Sequence, residues 1–337
     1  VEELFTYVRK LVDIPSVSGD EGEVGRFLAK DLEARGFSVT TQEVAPGRAN
    51  VYAVQGSVAP RVVFCTHIDT VPAFFASSED DSYIHGRGSC DAKGILATMV
   101  FATMALREQG IEDVGLLFVV GEEVDSIGAF AANDLPSSSS RYVIVGEPTE
   151  NKMATGHKGG FKFRMHASGK AAHSAYPKLG HSAIEHLLDG LAALRNESFG
   201  VSDTLGPATI NIGTIHGGLA ANVFAPDAVA DVLVRVVGAK EEVEAKINAV
   251  VERYPHLRYE VISQSDAVLC ETVAGFDTAP VSFGTDIPAL HAFGKALLLG
   301  PGSIHDAHTI GEKLGKDEAV DAVGYYQKLV KQLLAKS

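Results

Sequence analysis

Cysteine is scarce in this chain: Cys65, Cys90 and Cys270 are the only three in 337 residues. An odd number so widely spaced fits a reducing compartment better than a disulfide framework. Runs of lysine and arginine are also absent. With 29 basic against 43 acidic side chains and a formal charge of -14, the chain repels phosphate backbones and anionic lipid, so neither nucleic acid nor a membrane is an expected partner. No apolar stretch reaches the roughly 18 residues of a membrane span. The first ten residues, V-E-E-L-F-T-Y-V-R-K, lack the charged-then-apolar order of a signal peptide, and the missing initiator Met points to a trimmed start. The cytoplasm is the expected location. A G-x-S-x-G elbow is missing too, which argues against a serine nucleophile.

What is present is ordinary globular composition, 46% hydrophobic and 21% charged, at a length that favours two domains. The stretch V-V-F-C-T-H-I-D-T-V-P, residues 62–72, organises the rest. Its apolar run has no helical period, so it reads as a buried parallel strand that stops at His67-x-Asp69. Ligands in open α/β sheets sit beyond the carboxyl ends of such strands. The pattern recurs: G-L-L-F-V-V ends at Gly121-Glu122-Glu123, Y-V-I-V ends at Gly146-Glu147-Pro148, and A-L-L-L-G-P-G leads to His305-Asp306-x-His308. Four strands thus deliver imidazoles and carboxylates to one edge.

Around them, helical spacing predicts helices over 2–12, Glu21 to Arg35, Ile95 to Leu106 and Asp317 to Leu334. Asp91 precedes the third of these, where helix capping is its plainest role. After Pro148 the order becomes βαββαβ from Gly160 to Ser263, a split-βαβ sandwich able to stand alone. The expected architecture is therefore an α/β, mixed-sheet domain over 1–157 and 265–337, with a second domain over 158–264 inserted in it. Beyond four serines at Ser137 to Ser140, no repeat or low-complexity segment interrupts this order.

His67, Asp91, Glu123, Glu147 and His308 are nitrogen and oxygen donors, a set that suits zinc, cobalt or manganese. One catalytic zinc normally keeps three protein ligands, so five fit two metals sharing a carboxylate. Cys90, beside Asp91, is either a competing soft ligand or a buried inert thiol. His308 is preferred to His305 because it begins the H-x-x-x-E spacing to Glu312.

The motifs H-I-D-T-V-P at 67–72, G-R-G-S-C-D-A-K-G at 86–94, G-E-E at 121–123, G-E-P-T at 146–149 and H-T-I-G-E at 308–312 together resemble a known family. It is that of the dinuclear zinc amidohydrolases and peptidases that includes acetylornithine deacetylase, succinyl-diaminopimelate desuccinylase and aminoacylase-1. The resemblance implies a zinc-exopeptidase-like catalytic domain and a ferredoxin-like insert serving as lid and dimerisation domain. It also implies two divalent ions per subunit, Asp91 bridging them, His67 and Glu147 completing one site, Glu123 and His308 the other, and a cis peptide after Asp91. Asp69 would orient His67. Glu122, with no metal to hold, becomes the general base that takes a proton from water and passes it to the leaving nitrogen. In G-K-A-A-H-S-A, His173 matches a histidine that reaches the partner subunit's site and stabilises the tetrahedral oxyanion. Asn222 matches a substrate-binding position, while Arg235 and Lys158 match positions that hold substrate carboxylate.

The expected function is thus hydrolysis of N-acyl amino acids in amino-acid biosynthesis, most similar to the acetylornithine and acetylcitrulline deacetylase branch, in a homodimer. A dipeptidase or carboxypeptidase of the same family is the alternative. A silent metal-binding scaffold is the reading from another class, and an altered Glu122 or broken ligand set would be its mark. Phe283-Gly284-Thr285-Asp286 departs from the pattern of each branch.

Overall fold

The computed structural model describes residues 1–56, 59–136 and 140–336. Of the serine-rich loop expected at Ser137 to Ser140, residues 137–139 lie outside the described residues. The chain divides into two compact units, one of Val1–Thr155, Cys270–Ala279 and Thr285–Ser337, the other of Gly156–Leu269 and Pro280–Gly284. The sequence puts the joins at 158 and 265 and keeps 280–284 in the first domain, whereas in the structure that segment goes with the second unit.

In the first unit a six-stranded sheet runs in the order Ser38–Ala45, Arg48–Val54, Val114–Val119, Val62–His67, Tyr142–Val145, Lys295–Leu298. The first two pairings are antiparallel. The other three are parallel, so four neighbouring strands end on one edge, and those are the four that lead to His67, Glu122-Glu123, Glu147 and His308. Val62–His67 and Val114–Val119 are buried at every position, as unbroken apolar runs require of parallel strands covered on both faces. Helix Lys93–Glu108 is buried along most of its length and packs against helices Glu2–Val12 and Lys316–Ala335. Tyr326 joins helix to sheet: its ring meets Phe64 edge-on at 5.0 Å and its hydroxyl donates to the Leu299 carbonyl at 2.7 Å.

A three-stranded sheet of Ser78–Glu79, Tyr83–His85 and Lys313–Gly315 was not legible in the sequence, since two or three residues carry no measurable period. It matters because Lys313–Gly315 directly follows the His308 loop and pairs it with the segment that enters the Asp91 loop.

The second unit is an antiparallel sheet ordered Thr209–Gly217, Asp227–Val236, Gly159–Ser168, Leu257–Ser265, with helices Ala183–Asn196 and Lys240–Val251. Burial alternates residue by residue along Gly159–Ser168 and Asp227–Val236. One face packs its apolar side chains under the helices, with Phe161, Phe163, Leu187, Leu191 and Ile247 in a core of its own. The βαββαβ order is the expected one, and the fold class is mixed α/β with mixed sheets. Among the described residues no helix is long and apolar enough to cross a membrane.

Candidate metal centre

Where the parallel strands end, backbone geometry turns the donors toward one another. His67 closes its strand, and its Nε2 lies 2.9 Å from Asp91 Oδ1. On the other side of the same carboxylate, Asp91 Oδ2 is 3.2 Å from His308 Nε2, which is also 3.0 Å from Glu123 Oε1. Asp91 thus stands between two imidazoles, one oxygen toward each. Helix capping is not its role: Ala92 occupies the N-cap position and no side chain caps the helix. The Asp91–Ala92 peptide is cis, as is Pro72–Ala73. Two donor triplets have ligand atoms all within 4.8 Å of one another: His67, Asp91 and Glu123, and His67, Glu122 and Glu147.

The loops that carry these groups are held by two buried carboxylates. Asp69 accepts from the Gly121, Glu122 and Glu123 amides at 3.0, 3.1 and 3.2 Å and from the Ser18 hydroxyl at 2.7 Å. It fixes the Gly-Glu-Glu turn, a duty beyond the expected one of orienting His67. The nearest partner of His67 Nδ1 is the Asp69 carbonyl at 3.0 Å, with the carboxylate at 3.5 Å. Gly121 starts the turn at φ 80°, and a β-carbon there would press on Ile127, Arg48 and Asp125 at about 3 Å, so only glycine suits the position.

Glu312 is the second anchor. Its Oε1 accepts from the amides of Gly88, Cys90 and Asp91 at 2.9, 3.1 and 3.1 Å, while Oε2 pairs with Arg87. The H-x-x-x-E spacing was the only trace of this in the sequence. The helix that follows comes so close that a β-carbon on Gly94 would sit 2.1 Å from the Ser89 carbonyl. Cys90 is fully buried and its thiol is directed at the Ser303 carbonyl, 3.4 Å away; burial, reinforced by Asp91 and Glu312, pushes it well above the usual thiol range.

Asp286 went unassigned in the sequence. It is buried, and among the described residues its Oδ1 has no hydrogen-bond partner. Burial raises its carboxyl to about 7, and its charge reaches Glu122 and Glu147. Its signal was the Phe283-Gly284-Thr285-Asp286 stretch that fitted no pattern.

The electrostatics fit a cation. Burial drives Glu122 and Glu147 well above the usual carboxylate range; Asp286, Glu123 and Asp91 raise Glu122 further, and Glu122 raises Glu147. His308 is pushed up to about 10 by its bonds to Asp91 and Glu123, and the bonds from Asp69 and Asp91 outweigh the burial of His67 and raise it too. Protons on imidazoles and glutamates offset a surplus of negative charge that divalent ions would otherwise balance. Imidazole and carboxylate donors, without a thiolate, match zinc, cobalt or manganese.

His173, Asn222, Lys158 and Arg235 lie in the second unit. The His173 and Asn222 loops are laced together by a bridge between His173 and Val223 and by the Ser174 amide on the Asn222 carbonyl at 3.0 Å; both residues are exposed. Lys158 is buried, and its ammonium donates to the Pro207 carbonyl at 2.7 Å. A β-carbon at Gly284 would lie 3.7 Å from both Arg235 Nη1 and the Lys158 carbonyl, which brings three of the sequence's marked positions together.

Known proteins resemble this chain over nearly its whole length. A Peptidase M20 domain-containing protein of Schizosaccharomyces pombe is 40% identical over 98% of this chain and 84% of its own length. A protein named Probable carboxypeptidase from Aspergillus clavatus is 37% identical over 99% of this chain and 89% of its own. The crystal structure of a tripeptidase from Staphylococcus aureus superposes with a TM-score of 0.85 at 21% identity, covering 100% of this chain and 99% of the other. Peptidase family M20/M25/M40 matches residues 63–332, and with the donor set at the ends of its parallel strands the chain belongs to that family of metal-dependent hydrolases.

Proposed function

We propose that this chain is a two-metal peptidase that releases the C-terminal residue of short peptides. The observation that supports it best is Asp91, with one oxygen toward His67 and the other toward His308 and Glu123. In this reading His67, Asp91, Glu123, Glu147 and His308 hold two divalent ions, zinc in the first instance and cobalt or manganese as substitutes. Such ions lower the pKa of water toward about 7 and polarise a carbonyl. Glu122, the one carboxylate of the Gly-Glu-Glu turn left over, takes the proton from the attacking water and hands it to the departing nitrogen. Burial raises its proton affinity, in the direction a general base near neutral pH needs. Asp69 and Glu312 do not touch substrate; they position the turn and the Asp91 loop.

Arg235 is the better carboxylate clamp of the two cationic candidates, because a guanidinium binds a carboxylate bidentately whereas an ammonium is a point charge. Asn222 and His173 would complete substrate and oxyanion binding, His173 across the interface of a homodimer. An intact Glu122 and an intact donor set speak against a silent scaffold.

Peptidase is preferred to N-acyl amino acid deacetylase because proteins named carboxypeptidase are similar to this chain over nearly all of its length. The segments N-I-G-T-I-H-G-G-L-A-A-N and G-P-G-S-I-H-D-A-H keep the deacetylase as the second reading. Both substrates present an amide beside a free carboxylate, so a panel decides. Dipeptides, tripeptides, their C-terminal amides, and N-acetyl and N-succinyl amino acids are assayed with zinc, cobalt and manganese. Free-carboxylate peptides should give the highest kcat/KM and their amides a loss of tenfold or more. A preference for N-acetyl amino acids over every peptide would overturn the peptidase reading, and full activity after chelation would overturn the metal mechanism.

A further inference from the structure

Of the imidazoles in the second unit that the proposed reaction does not use, three lie together. His181 precedes helix Ala183–Asn196, His186 lies in its first turn, and His256 precedes strand Leu257–Ser265. His181 Nδ1 and His186 Nε2 are 2.9 Å apart. The His256 ring stacks on His186, with centroids at 4.3 Å and planes at 29°, and lies 4.5 Å from the His181 ring. One ring nitrogen from each residue falls within 4.8 Å of the other two, and all three residues are partly exposed.

Backbone bonds fix the three segments. The His181 amide and carbonyl pair with Lys170 at 3.1 and 2.9 Å, the His186 amide reaches the Ser182 carbonyl at 3.3 Å, and the His256 carbonyl accepts from the Ser168 amide at 2.9 Å. The side chains converge from the start of one helix and the start of one strand, both held in place by the fold, a requirement for a metal site to bind without reorganising the chain.

We propose that His181, His186 and His256 bind one divalent transition-metal ion, separate from the catalytic pair, with a further position open to solvent. Zinc–imidazole bonds of about 2.0–2.1 Å in a tetrahedral site put neighbouring nitrogens about 3.3 Å apart. The close pair, at 2.9 Å, would open by about 0.4 Å, and the third nitrogen lies within 4.8 Å of both. Three neutral imidazoles and no carboxylate select borderline ions such as zinc, copper(II), nickel(II) or cobalt(II) over magnesium or calcium. The proposal does not depend on the peptidase reading, because none of its ligands belongs to that site.

The test uses the full chain, stripped of metal and titrated with cobalt(II) or copper(II), with bound metal counted by plasma mass spectrometry after desalting. A variant with the catalytic imidazoles and the carboxylate between them replaced, His67→Ala with Asp91→Asn and His308→Ala, should keep one equivalent of ion. Its copper(II) spin-resonance spectrum should show coupling to imidazole nitrogens. Adding His186→Gln or His256→Gln should remove that equivalent and that coupling. In the otherwise wild-type chain those two substitutions should leave peptide hydrolysis within about twofold. If the catalytic-donor variant binds no ion, or if the histidine substitutions leave its stoichiometry unchanged, the imidazoles only pack against one another and the site does not exist. Circular dichroism of each variant identifies loss of fold, and the spectrum of the chain with all three histidines decides the matter without them.

Discussion

Replacing Glu312 by glutamine tests whether the Asp91 loop is held from behind. The amide oxygen of glutamine can still accept from Gly88, Cys90 and Asp91, but without charge. Each of those three bonds then falls from the charge-assisted class, worth about 1.5–3 kcal/mol, to the neutral class at about 0.5–1.5, a loss of about 1 each. The other end is worse. Arg87 is 3% exposed, and its partner in Glu312→Gln would present a donor to a donor. Breaking a buried ion pair on one side costs about 3–5 kcal/mol. Both losses flow from the same carboxylate and overlap, so we expect about 3–5 kcal/mol in all, measured by urea denaturation of metal-free protein. Metal affinity should fall about 10–100-fold, the usual effect of losing a group that orients a ligand, measured by competition with a chromophoric chelator. Adding Arg87→Met should return part of the lost stability, since it removes the stranded cation, but none of the lost metal affinity. A change below about 1 kcal/mol with unaltered metal binding would refute the reasoning and leave Glu312 a bystander.

Three further outcomes follow from the same geometry. Glu122→Gln should lower kcat by about 10²–10⁴ while metal content stays at the wild-type value; loss of metal with turnover retained per ion would mean that Glu122 and Glu123 have exchanged roles. Asp286 has its folded pKa raised to about 7 by burial, so its contribution to stability is present below the unfolded value near 4 and lost as pH rises through about 7. Metal-free Asp286→Asn, neutral throughout, should therefore gain on wild type between pH 5 and 8 in denaturant titrations, and parallel curves would dismiss the effect. Finally, mixing inactive His173→Ala and Glu122→Gln chains under subunit exchange should restore about a quarter of wild-type activity if the histidine acts across a two-fold interface, whereas no recovery after proven exchange excludes that role.

The parts of this molecule that were legible in the sequence are those where one physical rule acts alone. Val62–His67 had to be a buried strand because every residue of it is apolar or at its end, and the three strands parallel to it announce themselves the same way. Their donors could then be placed on one edge before any coordinates, since parallel strands end together. Period two in Gly159–Ser168 and helical spacing in Ala183–Asn196 made the second unit equally plain. Asp91 shows where such rules conflict: its position before a helix favours capping, yet its oxygens face His67 and His308, and local propensity lost to charge. Asp69, Glu312 and Asp286 were harder because their work is done at long range on backbone amides or through burial. A carboxylate that accepts three main-chain hydrogen bonds from a loop more than fifty residues away leaves no period, spacing or composition to read. The same holds for the His181, His186 and His256 cluster, in which His256 is brought by the fold to a pair about seventy residues earlier in the chain. Sequence pattern records what an element buries, and the contacts that aim a donor are written in tertiary structure.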